Sequence, residues 1–448
     1  MNDEAPLMIS VSGIRGIVGR SLTVPVLVEY AAAFGRFLGP GAVVVGRDAR
    51  PSGRWVFDAV AAALCGVGRD VLDVGPVPTP AVQVAVEQHR AAGGIVISAS
   101  HNPTPWNALK LLGPTGEFLD AEASARYLAT VGQPGAWATF DHLGTTKPAP
   151  GAIDRQVQLA LAHPALERAQ WPRAPIVAVD GCRSVGGLAT PRALRELGCT
   201  VIEVDCEADG AFTRGLEPTP ENLGALGEAV RLGKADFGLA HDPDADRCAL
   251  VGPDGVPFGE EATLALAVSV VLARNPGPVV TNLSTSRMVE DLAEAKGVPC
   301  HRTRVGEAHV VTGMKRFGAV IGGEGNGGVI APEAHLGRDG TVAAALACQA
   351  WADAGGDLGR AVQRLPSYVM MKGKLDGIRD FPERARDLER LFADYALDRT
   401  DGLRFSKDRA WLHVRPSGTE PIVRLIAESP GRDTTTQLID RARTAFTA

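Results

Sequence analysis

The 448-residue sequence is short of several features whose absence narrows the field. It has no CxxC pair, and its seven cysteines are scattered and odd in number. That argues against a disulfide framework and against a structural zinc site. It has no basic block either: 46 Lys plus Arg against 52 Asp plus Glu leave a formal net charge of −6 spread along the chain. Tracking a nucleic-acid backbone requires such a block, so no nucleic-acid partner is expected. A small anionic substrate would have to be met by local basic pockets. No apolar run suits a bilayer, since the longest, Thr263 to Ala273, falls short of the ~20 residues that span one. The opening MNDEAPLMIS is acidic and lacks the apolar core of a secretory signal. A soluble, cytoplasmic protein without a membrane partner is the expectation.

The balance of 45% hydrophobic and 22% charged residues is that of an ordinary globular protein. At ~100–200 residues per domain, the length predicts three or four domains. One arrangement recurs three times. Ala42–Val45 is followed by GRDARPSG and a helical stretch from Trp55 to Leu64; Ile176–Val179 by DGCRSVGG and a helix from Leu188 to Leu197; Val279–Val280 by TNLSTSR and a helix from Met288 to Ala295. Each reads as a buried strand, a polar turn and an amphipathic helix. Further strands follow at Val71–Val74 and Val201–Val204. The alternation predicts an α/β protein: three repeated α/β domains with mixed, mostly parallel sheets. After Pro366 the pattern changes to strands at 368–373, 411–414 and 422–427 around a charged helix over 381–395, a small α+β C-terminal domain. Boundaries are placed in the unpatterned Gly132–Pro150 stretch, at the GPDGVPFG turn of Gly252–Gly259, and after Pro366, giving units 1–149, 150–251, 252–366 and 367–448.

Four segments carry chemistry. The buried run Gly94–Ala99 ends in Ser100-His101-Asn102-Pro103, which places a hydroxyl at the carboxyl end of a strand, where α/β sheets bind ligands. Taken alone, this is more readily a serine in a polar turn than a nucleophile, with His101 able to orient it. His241-Asp242-Pro243-Asp244-Ala245-Asp246-Arg247 lies between two apolar strands. Its three carboxylates need a cation to sit together, and an all-oxygen set favours Mg²⁺ or Ca²⁺ over Zn²⁺. Arg247 and Pro253 stand where an EF-hand needs Gly and Glu. Arg415-Pro416-Ser417-Gly418-Thr419 offers a guanidinium fork, two hydroxyls and an open backbone, the inventory of a phosphate cradle. Gly322-Gly323-Glu324-Gly325-Asn326-Gly327-Gly328 has no Lys or Arg and is no P-loop, but Glu324 and Asn326 suit sugar hydroxyls. Arg15 in SGIRG and Lys110 in WNALK gain weight only beside these partners.

In this order the segments SGIRGIVG, SASHNP, HDPDADR, GEGNGG and RPSGTEP resemble the α-D-phosphohexomutase superfamily over essentially the whole chain. The resemblance implies four domains, one per principal loop. It makes Ser100 a phosphoserine, with Ser100, Asp242, Asp244 and Asp246 around one Mg²⁺ per chain. Arg247, His101 and Lys110 would surround the transferred phosphoryl group, with Lys110 a candidate general base and Arg15 the N-terminal active-site arginine. Glu324 and Asn326 would bind the sugar, and Arg415, Ser417, Gly418 and Thr419 the non-reacting phosphate. The implied reaction interconverts hexose 6-phosphate and 1-phosphate through a hexose 1,6-bisphosphate, which reorients in a spacious cleft closed by a mobile fourth domain. Small-molecule hexose phosphates are then the partners, and monomer and homodimer both stay open. The sugar loop departs from the common GEMSGH or GEQSGH pattern, with Asn326 at the Ser position and Gly328 at the His position. Asn326 tilts the expectation toward glucosamine phosphate. A phosphomannomutase or phosphoglucomutase, a metal-dependent phosphatase and a silent sugar-phosphate-binding protein are the competing readings.

Overall fold

Burial dictates the strands. Val43–Arg47, Ile176–Asp180 and Val279–Asn282 are short β-branched runs buried at every residue but Arg47 and Ile176, with few polar atoms to solvate. The computed structural model describes residues 7–10, 13–378, 381–416 and 422–447. Each of these three strands is the second of a four-strand unit whose order and directions repeat. In the second sheet the order is Thr200–Val204, Ile176–Asp180, Phe237–His241, Cys248–Val251. In the third it is Cys300–Thr303, Val279–Asn282, Ile321–Glu324, Gly328–Ile330. The first three strands of each are parallel and the last is antiparallel. The first sheet contains the same unit as Val71–Pro76, Val43–Arg47, Gly93–Ile97, Trp106–Leu112. It is extended at one edge by Gly13–Ile17 and Met8–Ser10, and at the other by Thr146–Pro148. The fourth sheet, Val369–Asp376, Ile422–Ser429, Ala410–Pro416, Leu403–Lys407, Ala396–Asp398, is antiparallel throughout, with helices Phe381–Leu391 and Arg432–Thr447.

The Gly132–Pro150 stretch, read from sequence as connection alone, also supplies the edge strand Thr146–Pro148. That strand is exposed at all three residues and pairs on one side only, so it needs no apolar alternation and leaves none to read.

The repeat places function at one recurrent point. The turn between the last parallel strand and its antiparallel neighbour is 98–105 in the first unit, 242–247 in the second and 325–327 in the third. These turns hold Ser100, the three aspartates, and Asn326. Each carries a residue in the left-handed region: Ser100 at φ +50°, Ala245 at +53° and Gly327 at +86°.

Packing joins the units unequally. One continuous apolar core runs through the second and third, built largely on helices Glu260–Arg274 and Gly340–Asp353. The apolar run Thr263–Ala273 lies in the first of these helices; it lacks a polar face because all of it but Ser269 and Ala273 is buried. The first unit has cores of its own on the two faces of its sheet, and the fourth has another. Contacts from the fourth unit to the third include Ser284 Oγ to His413 Nδ1 at 2.9 Å, the Val305 N–H donating to Asp401 at 3.0 Å and the Arg287 N–H donating to Glu428 at 2.8 Å. Trp351, fully buried in the shared core edge-on to Trp171, is the largest side chain there. Trp351→Ala is expected to cost about 3–5 kcal/mol, lowering the calorimetric transition of the second and third units together. Separate loss of one of them would contradict a shared core. Among the described residues no helix is long and apolar enough to cross a membrane.

Candidate active site

Ser100 sits where a buried frame puts it. The Arg50 guanidinium, enclosed beneath the loop, donates to the carbonyls of Ser100 and Asn102 at 2.6 Å each and of Pro103 and Trp106 at 3.0 Å each. Asp48 accepts from Arg50 at 3.2 Å and from the Ser98 hydroxyl at 2.6 Å, and Ser98 Oγ in turn accepts the Ser100 N–H at 2.9 Å. A left-handed backbone at a serine costs of order 1–3 kcal/mol, and this network is what holds it. The Ser100 hydroxyl donates to Asp242 at 2.7 Å and lies 3.4 Å from His101 Nδ1. Burial, helped by the nearby arginines, pushes the His101 imidazole down to about 2, so it is neutral.

The aspartate loop is held from below in the same way. Arg214 donates to Asp180 at 2.7 and 3.0 Å and to the His241 carbonyl at 2.7 Å, and the Ser184 hydroxyl donates to the Pro243 carbonyl at 2.5 Å. Asp242, Asp244 and Asp246 are fully buried, and one oxygen of each lies within 4.8 Å of the others. Burial and its two neighbouring carboxylates raise Asp242 well above the usual carboxylate range. Burial would raise Asp244 too, but Lys110, which hydrogen-bonds it, and the Thr79 hydroxyl at 2.6 Å hold it low.

A divalent cation fits this place. Asp244 Oδ1 and Asp246 Oδ1 are buried without a hydrogen-bond partner, an arrangement that is costly unless something positive meets them. Five buried carboxylates, those of Asp242, Asp244, Asp246, Glu307 and Glu324, face three buried cations, Lys110, Arg247 and Arg338. One divalent ion closes that gap, and hard oxygen donors select Mg²⁺ or a close relative.

A cavity of about 260 Å³ opens over both loops. Ser100, His101, Lys110, Arg15, Arg247, Glu324 and Asn326 all line it, so the structure brings these sequence-predicted residues together. Arg15, on strand Gly13–Ile17, hydrogen-bonds Asn102 Oδ1. Arg247 reaches Glu217 at 3.1 Å. Lys110 is enclosed, which would lower its pKa, but Asp244 and Asp246 outweigh burial and raise it. In this arrangement it is ion-paired to Asp244 and Asp246. Glu324 accepts from Asn282 at 2.7 Å, from the Gly306 N–H at 2.9 Å and from Arg338 at 2.8 Å. Burial would raise it, yet Arg338 and these donors keep it below the usual range. Asn326 turns its Oδ1 to the Gly328 N–H at 3.2 Å. Arg415 lines an adjoining cavity of about 300 Å³ with Arg424, Glu324 and Asn326, 3.8 Å from Asp401. Ser417, Gly418 and Thr419 lie outside the described residues.

Sequence reasoning missed Arg50, Arg338, Glu307, Thr79 and Arg424. Arg50 stood in plain view within GRDARPSG, and Arg338 in Gly337-Arg338-Asp339-Gly340 ahead of an apolar helix. Charged pairs between glycines at a helix start were the available signal for both.

The four domain models of phosphoglucomutase/phosphomannomutase match in order: α/β/α domain I over residues 8–130, domain II over 160–255, domain III over 259–368 and the C-terminal domain over 370–445. A phosphoglucomutase/phosphomannomutase of Thermococcus kodakarensis is 36% identical over 437 residues, 94% of each chain. A probable phosphoglucosamine mutase of Methanopyrus kandleri is 33% identical over 434 residues, 96% of this chain and 95% of that one. The solved structure of a putative phosphomannomutase from Thermus thermophilus superposes with a TM-score of 0.85 at 27% identity, covering 99% of this chain and all of the other. With its four domains matched in sequence order and a relative 36% identical along 94% of its length, the chain belongs to the phosphoglucomutase/phosphomannomutase family.

Proposed function

We propose that the chain is a phosphohexose mutase that interconverts the 6- and 1-phosphates of glucosamine, with Ser100 as the phosphoryl carrier. The carrying observation is the Ser100 hydroxyl on the wall of the cavity that Glu324 lines, 2.7 Å from Asp242. Phosphorylated Ser100 gives its phosphoryl group to the free hydroxyl of a bound hexose phosphate. The sugar oxygen–phosphorus bond forms as the Ser100 Oγ–phosphorus bond breaks, and the proton lost by the sugar hydroxyl ends on the released Ser100 Oγ, which His101 Nδ1 approaches at 3.4 Å. The resulting 1,6-bisphosphate reorients, and its other phosphate returns to Ser100. Lys110, Arg15 and Arg247 supply fixed positive charge around the transferred group. Glu324 holds sugar hydroxyls, and Arg415 with Ser417, Gly418 and Thr419 holds the phosphate that is not reacting. Mg²⁺ on Asp242, Asp244, Asp246 and the Ser100 phosphate would offset charge on the phosphoryl oxygens. The units 1–149, 150–251, 252–366 and 367–448 each contribute one loop.

A 2-hydroxyl sugar is the second reading, since the Asn326 amide carries a donor that a hydroxyl can accept from. Asn326 Oδ1 accepts the Gly328 N–H with one lone pair and keeps the other for an ammonium, while its NH₂ group donates to a hydroxyl. Coupled assays with glucosamine 6-phosphate, mannose 1-phosphate and glucose 1-phosphate separate the two. The proposal expects the highest kcat/KM for the amino sugar. A tenfold deficit against either hexose, about 1.4 kcal/mol in transition-state binding, assigns the chain to glucose or mannose. Release of inorganic phosphate without isomer would overturn the mutase assignment.

A further inference from the structure

Arg338 makes three ion pairs with three different segments at once. Its Nε donates to Glu307 at 3.0 Å, one terminal nitrogen to Glu324 at 2.8 Å and the other to Asp246 at 2.6 Å. Its own backbone N–H donates to the other Glu307 oxygen at 3.2 Å. All four residues are buried, and Arg338, Glu307 and Glu324 line the cavity above Ser100. The guanidinium thus ties a carboxylate that faces the sugar to a carboxylate of the aspartate loop, across the seam between the second and third sheets. A planar fork with fixed donors can do this; a lysine point charge cannot reach all three.

The arginine stem has room for this path only because of a glycine. A Cβ on Gly328 would lie 2.3 Å from Arg338 Cδ and 3.1 Å from its Cγ. Gly328 has ordinary negative φ, so its backbone does not require glycine; the arginine does. Space beside residue 328 is filled from ten residues downstream in the chain.

We propose that Arg338 is a positioning residue for phosphoryl transfer, fixing the sugar carboxylate Glu324 relative to the aspartate loop, and that Gly328 exists to admit it. This rests on the mutase reading for its catalytic consequence, but not for its binding consequence. Displacing a substrate by about 1 Å costs of order a hundredfold in rate, and the loss falls on kcat more than on KM.

The test is a double-mutant cycle on the full chain with Arg338→Ala, Gly328→Ala and the pair, followed by kcat and KM on the preferred hexose phosphate. Arg338→Ala is expected to lower kcat about a hundredfold with a smaller change in KM, and Gly328→Ala at least tenfold by pushing the arginine aside. The double variant should be no slower than Arg338→Ala, because with the arginine gone the added methyl meets only Asn326 Oδ1, 3.1 Å away. Effects that multiply, or an Arg338→Ala enzyme with normal kcat, overturn the proposal. Arg338→Lys guards against loss of folding: it should melt near the parent yet recover less than a tenth of its kcat, and full recovery also overturns it. The same cycle read by calorimetric binding of glucose 1-phosphate to Ser100→Ala protein needs no turnover. Tenfold weaker binding, again non-additive, supports the Arg338 role even if the mutase reading fails; unchanged binding removes it.

Discussion

Ser100→Ala removes phosphohexose isomerisation, by about 10⁴-fold or more in kcat, while the variant still folds and still binds hexose phosphate. The size follows from the role: a covalent carrier has no substitute in the site, so its loss removes the route instead of slowing it. His101 and Lys110 lie close enough to influence the transfer, but burial leaves His101 too weak a base to take over, and Lys110 is committed to Asp244. Intact-mass measurement gives a second readout. The purified parent should carry an adduct of one phosphoryl group that disappears on incubation with substrate, and the alanine variant should never carry it. A variant that keeps a hundredth of parental turnover, or an adduct that survives the substitution, would move the carrier elsewhere.

Arg50→Met is the second large effect, and it concerns a residue that touches no substrate. The substitution leaves Asp48 as an uncompensated buried charge and strips four loop carbonyls of their donor. Removing one partner of a buried pair costs about 3–5 kcal/mol, and the loop that pays it carries Ser100 in its left-handed conformation. The expected result is a melting temperature several degrees lower and a kcat/KM reduced at least a hundredfold, measured well below the melting point. Arg50→Lys should restore part of the stability and little of the activity, since an ammonium supplies three donors where the guanidinium serves five acceptors. A stable enzyme with normal kinetics would show that Ser100 does not depend on this frame.

The two cases show which parts of the site sequence could reveal. Ser100 and the aspartates were legible because their chemistry is compact: several like residues within one short turn, flanked by apolar strands. The three strand–turn–helix units were legible for the same local reason. Arg50 and Arg338 were not, because what matters about them is a set of partners distant in the chain, 50 to 56 residues away for the loop that Arg50 frames and 14 to 92 for the carboxylates of Arg338. A single arginine carries no mark of how many carbonyls or carboxylates it will meet. Gly328 was visible as a departure, but its cause lay in the path of another side chain. The equivalence of the three functional turns was hidden too, since it lies in strand order, which local pattern does not encode.

That equivalence has a practical side. If nucleophile, metal ligands and sugar contacts all occupy the same kind of turn, then the opposite ends of the three sheets are free of chemistry. Each of those ends is also built alike: the helix that follows the first strand closes on a left-handed glycine, Gly68, Gly198 or Gly297, just before the next strand begins. Gly68 would press on the His142 carbonyl and Gly198 on Arg168 if given a side chain, whereas Gly297 has open space around it. A fluorophore, an affinity handle or a surface tether belongs on exposed Lys296 beside it, where it can report on or immobilise the enzyme without entering the cleft and without straining the glycine.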